Sequence, residues 1–282
     1  MAAIPLSLYT VFVLAPLLWS VAISLTGWNG LSPNRPFIGL DNYDRAFHDP
    51  LFISAMRITG IWLVVGIIVP TVAGLGLAVL LDRPLRGSRI YKSLFYLPVC
   101  LSLAVVGQVW IWIYRPDIGL INTVLRGVGL DGLTKAWLAN PGTAMWAVII
   151  AWCWQQTALS LILYLAALTT VPQELVEAAA IDGANGRQAF RRVVLPLLRP
   201  ATTVVVALGV IGVLKGFDVV YMLTEGGPFN TSANLAMMMY TETFRKYQVG
   251  YGAAISTALF VLAIVVIFIY FRQTRASERV YG

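Results

Sequence analysis

Histidine and cysteine are scarce in this chain, and their scarcity removes several kinds of chemistry. The 282 residues include one histidine, His48, and two cysteines, Cys100 and Cys153. A zinc hydrolase needs a His-Glu-x-x-His pair and a serine hydrolase needs a histidine beside its nucleophile, so one histidine supplies neither. His48 has no second ligand at metal spacing, and both thiols fall in apolar segments where cysteine behaves as a small hydrophobe. We therefore predict no catalytic residue, no metal site and no enzyme activity.

Charged residues are also few. Only 12% of the residues are charged and 59% are hydrophobic, with a mean hydropathy of +0.77, which is too apolar for a soluble globular protein. Six segments are long enough to cross about 30 Å of hydrocarbon as helices, and no soluble domain fits between them. We expect an all-α, polytopic membrane protein with one transmembrane domain over residues 1–282. The predicted spans are residues 4–25, 58–81, 93–114, 143–170, 201–223 and 253–271.

The first of these segments lacks both a basic leader region and an Ala-x-Ala cleavage site. It is therefore interpreted as a retained span rather than a signal peptide.

A glycine-rich phosphate-binding loop is missing as well. Without one, the chain is not expected to hydrolyse ATP, so any energy input must come from partner subunits or from an ion gradient. The net charge of +7 is explained by the loops and by contact with lipid head groups. Because no basic patch is interleaved with aromatic residues, we expect no nucleic-acid partner.

The Lys and Arg residues are distributed unevenly between the loops. Eleven of the twenty fall in residues 82–92, 171–200 and 272–282, whereas eight fall in the three loops on the other side, which are longer in total. Cytoplasmic loops are enriched in Lys and Arg. We therefore predict that residues 82–92, 171–200 and 272–282 are cytoplasmic, as are both chain termini.

The loop at residues 171–200 is the most informative of these segments. Its sequence predicts two short helices, Glu174 to Ile181 and Arg187 to Val194, joined by a sharp turn at Gly183. Three consecutive alanines give the first helix a narrow face that suits a groove, and its N-terminal half carries negative charge. A hairpin this compact is needed only where another molecule docks.

The same loop resembles the signature of binding-protein-dependent ATP-binding cassette importers. That pattern is Glu-Ala-Ala, three residues, Gly, nine residues and Ile-x-Leu-Pro, and this chain meets it with Val193 in the isoleucine position. Four further segments resemble the carbohydrate permeases of the maltose type, and the resemblance extends from about residue 5 to residue 272. The four segments are FIGLDNY at 37–43, LDRPLRGSRIYKSLFYLP at 81–98, IGLIN at 118–122 and FDVVYMLTEGGP at 217–228.

This resemblance implies an importer permease fold in which the hairpin inserts into a cleft of an ATPase subunit. It also implies a second related permease, two ATPase subunits that hold ATP and Mg²⁺, an external solute-binding protein and a sugar of one or more units. No cofactor is expected on this chain itself, and the expected location is the plasma membrane of a bacterium or archaeon. The residues that match the coupling motif are Glu177, Ala178, Ala179, Asp182, Gly183, Leu195 and Pro196.

Charged residues within the spans are further candidates, because they are costly in hydrocarbon and usually functional. Lys215 and Asp218 are three residues apart on the fifth predicted span, where they would share a face and form an ion pair. The alternative is a pair that only fixes helix packing. Gly212 and Gly216 favour this alternative, since small residues let helices approach closely.

Neutral polar and aromatic side chains on the third and fourth spans suit the hydroxyls and ring faces of a sugar. By resemblance, the maltose-type site also draws on the fifth span, where this chain has Gly209 and Val213 at the matching positions. We expect the passenger to pass a face formed by these parts of the three spans. The set on the third and fourth spans is Ser102, Gln108, Gln155 and Gln156, with Trp110, Trp152 and Trp154.

Two other transport functions stay open. A permease for another polar solute, such as glycerol 3-phosphate, would share the same architecture. An ion-coupled secondary transporter would need titratable groups along its path, and Asp218 is the only carboxylate in the middle of a predicted span.

Overall fold

The computed structural model describes residues 3–82 and 88–278, and these residues are helical apart from loops and a single bridge between Thr26 and Phe37. Arg83 and Arg86, which belong to the predicted basic loop, lie outside the described residues, as do residues 279–282. The helices are α1 (Ala3–Tyr9), α2 (Ala15–Ser24), α3 (Asp41–His48), α4 (Pro50–Leu81), α5 (Ser88–Tyr96), α6 (Leu103–Ile113), α7 (Leu120–Gly127), α8 (Ala144–Leu168), α9 (Gln173–Ile181), α10 (Gly186–Ala189), α11 (Leu195–Leu197), α12 (Arg199–Leu214), α13 (Asp218–Thr224), α14 (Leu235–Tyr240) and α15 (Val249–Glu278).

Four of the predicted spans are continuous helical segments of membrane length. They are Pro5–Ser24, in which a π-helical turn at Thr10–Leu14 joins α1 to α2, and Pro50–Leu81, Ala144–Leu168 and Val249–Tyr270. Two further apolar helix pairs are sharply bent, which gives six crossings when each bent pair counts as one span. The all-helical prediction is confirmed, whereas two of the six spans are not the straight helices that their hydropathy predicted.

The third predicted span, residues 93–114, is bent by 109° between the segments Ile90–Cys100 and Leu103–Ile113. The chain passes through a 3₁₀ turn that contains Pro98, a residue whose missing N–H does not support a continuing helix. Ser102 then starts α6 as its N-cap, since its hydroxyl accepts a hydrogen bond from Val105 N at 3.3 Å. Cys100, expected inside a span, instead lies exposed in this turn, whereas Cys153 is buried in α8.

The fifth predicted span, residues 201–223, is interrupted. Helix α12 ends at Leu214, residues 215–217 form a turn, and α13 begins at Asp218. A second bend of 64° separates α12 from the preceding segment Gly186–Leu197, and Pro200 occupies the first turn of α12. Hydropathy did not reveal the interruption at residues 215–217, because the segments on both sides of it are as apolar as a continuous span.

Helices α4 and α8 form the most extensive helix pair of the chain, and their close approach depends on small residues. Gly66, Pro70, Gly74 and Ala78 recur every four residues on α4 and are all buried. A Cβ atom at Gly74 would lie 2.5 Å from Ser160 Cβ and 3.0 Å from the backbone nitrogen of Leu161. This stripe therefore sets the distance between the two central helices.

Buried asparagines fasten the loops at residues 26–49 and 115–143 to the ends of the spans. Asn42 of the FIGLDNY segment donates to the carbonyls of Ser24 and Thr26 at 2.8 and 3.0 Å. Asn122 of the IGLIN segment donates to the carbonyls of Pro116 and Lys135, and its Oδ1 accepts from Trp137 Nε1. These two segments therefore have a structural role, and the short helices α3 and α7 that contain the two asparagines were not predicted.

We expect Gly74→Ala to lower the stability of the protein by about 1–3 kcal/mol, because the added methyl group forces α4 away from the backbone of α8. Gly76→Ala is the matched control, since no atom lies within 4 Å of its Cβ position. Thermal unfolding of both variants in detergent checks this prediction. A Gly74→Ala protein that melts with the wild type would contradict the assigned contact.

Candidate functional site

The hairpin predicted at residues 171–200 is present, and its first arm is α9, Gln173–Ile181. The helix ends in a Schellman motif, in which Ala184 N donates to Ala179 O and Gly183 N donates to Ala180 O at 2.9 and 3.0 Å. Gly183 has φ = +84°, a left-handed conformation that side chains disfavour. The turn assigned to Gly183 from the sequence is therefore confirmed, and Asp182 is the last residue before it.

The second arm of the hairpin starts with a capping box that the sequence analysis missed. Asn185 Oδ1 accepts from Gln188 N at 3.0 Å, and Gln188 Oε1 accepts from Asn185 N at 2.9 Å. The spacing Asn-x-x-Gln was visible in the sequence and predicts this arrangement. From there the helical run continues from Gly186 to Leu197, longer than the predicted Arg187 to Val194, and a π-helical turn at Phe190–Val194 holds two of its arginines.

The hairpin presents apolar and charged side chains that nothing in the described chain covers. No residue of α9 is buried, and Ile181 at its end is 86% exposed. Within the signature, Ala179 and Pro196 are half-buried, and the others are exposed: Glu177, Ala178, Asp182, Gly183 and Leu195. Arg187, Arg191 and Arg192 are exposed on the second arm. An apolar helix with a basic neighbour is thus available for a protein partner.

The two spans that flank the hairpin are joined to each other, next to the hairpin, by a hydrogen bond and a packed apolar cluster. Helix α8 leads into the hairpin and α12 leads out of it, and Tyr164 Oη of α8 donates to Thr202 Oγ1 of α12 at 3.0 Å. Tyr164 is fully buried, and the cluster around it includes Leu81 of α4 and Val205 of α12. The hairpin is therefore attached to three spans through close-packed side chains, which resist compression.

Gln155 was expected to face a passenger, but the structure uses its amide to close the bend of the third span. Its Nε2 donates to the carbonyls of Pro98 and Leu101 at 3.1 and 2.6 Å. These carbonyls lie where helical hydrogen bonding stops, so the amide satisfies groups that would be unpaired in hydrocarbon. Ser102 lies next to this contact, and the bend thereby brings two of the predicted polar residues together.

Gln156 has the opposite character. Its Nε2 is buried, and no described residue accepts a hydrogen bond from it. Its Oε1 lies 3.9 Å from the position that a Cβ of Gly212 would occupy, so the side chain extends toward α12. The same lack of an acceptor applies to the buried indole nitrogens of Trp62 and Trp110. Unsatisfied buried donors are rare and mark positions where a water or a ligand completes the structure.

The remaining predicted pathway residues do not lie on one surface. Gly209 and Val213 are buried in the core, where Val213 packs against Gly66 of α4. Gln108 is exposed on α6 beside Trp112, which is also exposed. Gly212 and Gly216 were expected to let another helix pack closely against this segment. This is confirmed, since the Trp152 ring of α8 lies 3.0 Å from the Cβ position of Gly212.

The ion pair expected between Lys215 and Asp218 is absent from the described residues, in which the acidic partners of Arg115, Arg245 and Lys246 are Asp117, Glu225 and Glu242. Both side chains are exposed. The pairing assumed a continuous helix, and the turn at residues 215–217 rotates the two positions apart. Lys215 lines a groove with α2 and α15, and Asp218 does not line it.

A cluster of aromatic side chains follows this turn, and the sequence analysis did not identify it. Its rings belong to Phe217, Tyr221, Tyr240 and Phe244, with centroid separations of 4.8 to 5.5 Å. Arg245 lies near two of these rings and donates to Glu225 at 2.7 Å. Its bonds to Glu225 and Tyr221 raise the pKa of Arg245. The i, i+4 spacing of both aromatic pairs was the available signal.

His48 and the acidic residues form no metal centre in the part of the chain that the structure describes. His48 ends α3, and its exposed Nδ1 lies 2.8 Å from the carbonyl oxygen of Asp44. It is therefore a solvated residue, on a helix rather than in the predicted loop.

Comparison with known proteins identifies the family. Residues 66–279 match the family described as "Binding-protein-dependent transport system inner membrane component". A probable ABC transporter permease protein of Pyrococcus horikoshii is 38% identical, covering 97% of this chain and 94% of that protein. The trehalose/maltose transport system permease protein MalF of Thermococcus litoralis is 31% identical, covering 96% of this chain and 90% of that protein.

A solved structure shares the fold. The crystal structure of a bacterial ABC transporter involved in the import of the acidic polysaccharide alginate matches with a TM-score of 0.83 at 21% identity, covering 98% of this chain and 94% of that chain. Since the family match spans well over half of the sequence, this chain belongs to the binding-protein-dependent transport system inner membrane components.

Proposed function

We propose that this protein is one permease subunit of an ATP-driven importer for a carbohydrate, a mono- or oligosaccharide delivered by an external solute-binding protein. The observation that carries the proposal is the uncovered hairpin between α8 and α12, with its left-handed glycine turn and its Ala-rich arm. The names of relatives support sugar as the passenger: MalF of Thermococcus litoralis is a trehalose/maltose permease protein.

The hairpin is the proposed contact with an ATPase subunit. In this proposal ATP and Mg²⁺ bind to two partner ATPase subunits, and the exposed apolar side of α9 enters a cleft in one of them. Closure of the ATPase pair displaces the hairpin, and the packed junction at Tyr164 and Thr202 carries that displacement to α8 and α12. A rigid junction suits this role, because a compliant one would absorb the movement.

A second related permease completes the proposed pathway. The polar residues of the described spans lie on different surfaces, and Gly209 and Val213 are buried in this chain's own core. One subunit therefore does not enclose an aqueous path of sugar size. Gln156, whose buried amide has no acceptor among the described residues, is the polar side chain best suited to meet a passenger at the junction of the two permeases.

The proposed orientation places the hairpin and both chain ends in the cytoplasm. The distribution of Lys and Arg supports this orientation. The asparagine-tied loops at residues 26–49 and 115–143 then face outward, where a solute-binding protein docks.

Gly183→Val should uncouple transport, because a β-branched residue at φ = +84° costs on the order of 1–2 kcal/mol and distorts the turn. Gly186→Ala is the control, since that glycine lies in the first turn of α10 with open space at its Cβ position. Sugar uptake and copurification of the ATPase subunits are measured for both variants, each made as a single change in the wild-type sequence. Unchanged ATPase retention and wild-type uptake in Gly183→Val would refute the coupling role.

The orientation is tested by thiol labelling of intact cells. A cysteine at Ala184 should be shielded from an impermeant reagent added outside, whereas one at the exposed Asp131 should react. Asp131 is a better probe of the outer face than Asn42, which is buried and hydrogen-bonded. Labelling at position 184 without permeabilisation would overturn the orientation.

The two glutamines of α8 should separate stability from transport. Gln155→Ala leaves the carbonyls of Pro98 and Leu101 without a donor, so it should destabilise the fold by about 1–3 kcal/mol. Gln156→Ala removes an amide that already lacks an acceptor, so the melting temperature should hold while sugar uptake falls. A Gln156→Ala importer with normal uptake of every sugar that its binding protein carries would show that the passenger passes elsewhere.

A further inference from the structure

Three polar side chains without partners line one groove in the outer half of the membrane region. The groove has a volume of about 360 Å³ and lies between α2, α12 and α15. Ser20, Lys215 and Ser256 line it, and none of the three has a hydrogen bond or ion pair with any described residue. Thr257 also lines the groove, but its hydroxyl donates to the carbonyl of Ala253 at 2.9 Å.

The position of Lys215 along the span makes this arrangement costly. Helix α12 has 16 residues from its start at Arg199, and 16 residues rise by about 24 Å, so Lys215 lies within a hydrocarbon layer about 30 Å thick. Ser20 is one turn before the end of α2, and Ser256 is two turns into α15, which places both near the same level. A lysine at such a depth is usually paired or functional.

The groove itself offers Lys215 no counter-charge. Apart from the two serines and Thr257, its other lining residues are apolar, and they include no Asp or Glu. Asp218, the nearest carboxylate in sequence, lies on the other side of the turn and does not line the groove. Lys215 therefore lines an open space of ligand size that has two serine hydroxyl groups and no carboxylate.

We propose that Lys215, Ser20 and Ser256 form an anion-binding subsite on the translocation route, and that the passenger is an acidic sugar. The matching chemical group is an oxyanion, namely the carboxylate of a uronate, a sulfonate or a phosphate ester. The ammonium supplies up to three donors and each hydroxyl supplies one, which together suit the several oxygens of such a group. This inference rests on the proposed function as a carbohydrate importer and specifies the class of its substrate.

The test uses the assembled importer in lipid nanodiscs with its own solute-binding protein. The probes are matched sets in which each neutral sugar has acidic counterparts: galactobiose with digalacturonate, and glucose with glucuronate and glucose 6-phosphate. We expect an acidic member to bind the solute-binding protein and to stimulate the ATPase. Stimulation by neutral members alone would overturn the acidic passenger while leaving the proposed carbohydrate function intact. Stimulation by no member would overturn the acidic passenger, whereas the carbohydrate function itself is overturned only if the solute-binding protein binds no sugar at all.

The contribution of Lys215 is tested in proteoliposomes with the acidic probe. Lys215→Gln should lower uptake at least about tenfold, the scale of one lost charge-assisted hydrogen bond, and Lys215→Arg should keep most of it. Lys135→Gln, which removes the same charge from an exposed external loop, is the matched control and should transport normally. Unchanged uptake in Lys215→Gln would overturn the subsite.

The anion that meets Lys215 could belong to the passenger or to a carboxylate of the second permease, and copurification of the second permease distinguishes the two. An anion carried by the passenger predicts that Lys215→Gln assembles fully and fails only in uptake. Loss of the second permease from the Lys215→Gln complex would overturn the proposal and assign the counter-charge to a carboxylate of that subunit. Ser20→Ala and Ser256→Ala should each lower uptake of the acidic probe less than Lys215→Gln does, because each removes a neutral donor.

Discussion

The need to satisfy backbone polar groups inside hydrocarbon governs this structure. A helix satisfies them by itself, but both interrupted spans expose carbonyls where their helical hydrogen bonding ends. Each interruption is met by one amide side chain. Gln155 donates to Pro98 and Leu101 at the first, and the fully enclosed Asn234 donates to Gly216 at 2.9 Å at the second. Each amide therefore stabilises a break that would otherwise leave carbonyls unpaired at membrane depth.

The breaks in turn determine where functional groups can lie. A continuous fifth span would place Lys215 and Asp218 on one face as a neutral pair, whereas the turn sends them to different surfaces. Asn234 also starts α14, because its Oδ1 accepts from Met237 N, and α14 contributes Tyr240 to the aromatic cluster. The buried amide of Asn234 thereby fixes the position of the aromatic cluster relative to the break in the fifth span and to the groove that Lys215 lines.

Hydropathy and spacing predicted the helical class, the number of crossings and the hairpin, because these depend on composition over many residues. The capped ends and the left-handed Gly183 were also accessible, since turn and cap chemistry is local. The breaks at Pro98 and at residues 215–217 were not, because each depends on a donor far away in sequence: Gln155 and Asn234 are separated from their acceptors by 18 to 57 residues. The error in the Lys215–Asp218 pair followed directly from missing the second break.

The hairpin end of the spans and the opposite end differ in how firmly they are packed. Near the hairpin, α4, α8 and α12 share a closed cluster around Tyr164, with a hydrogen bond between the two spans that flank the hairpin. At the opposite end, α12 ends at a turn, and a groove lined by Lys215 lies between α12, α2 and α15. In the proposed coupling, a displacement of the hairpin would move α8 and α12 together and would reach the groove at the other end of α12. Since Lys215 lines that groove, the same movement would change the distance between its ammonium and an anion bound there, so the proposed coupling at one end of α12 would alter the affinity of the proposed subsite at the other.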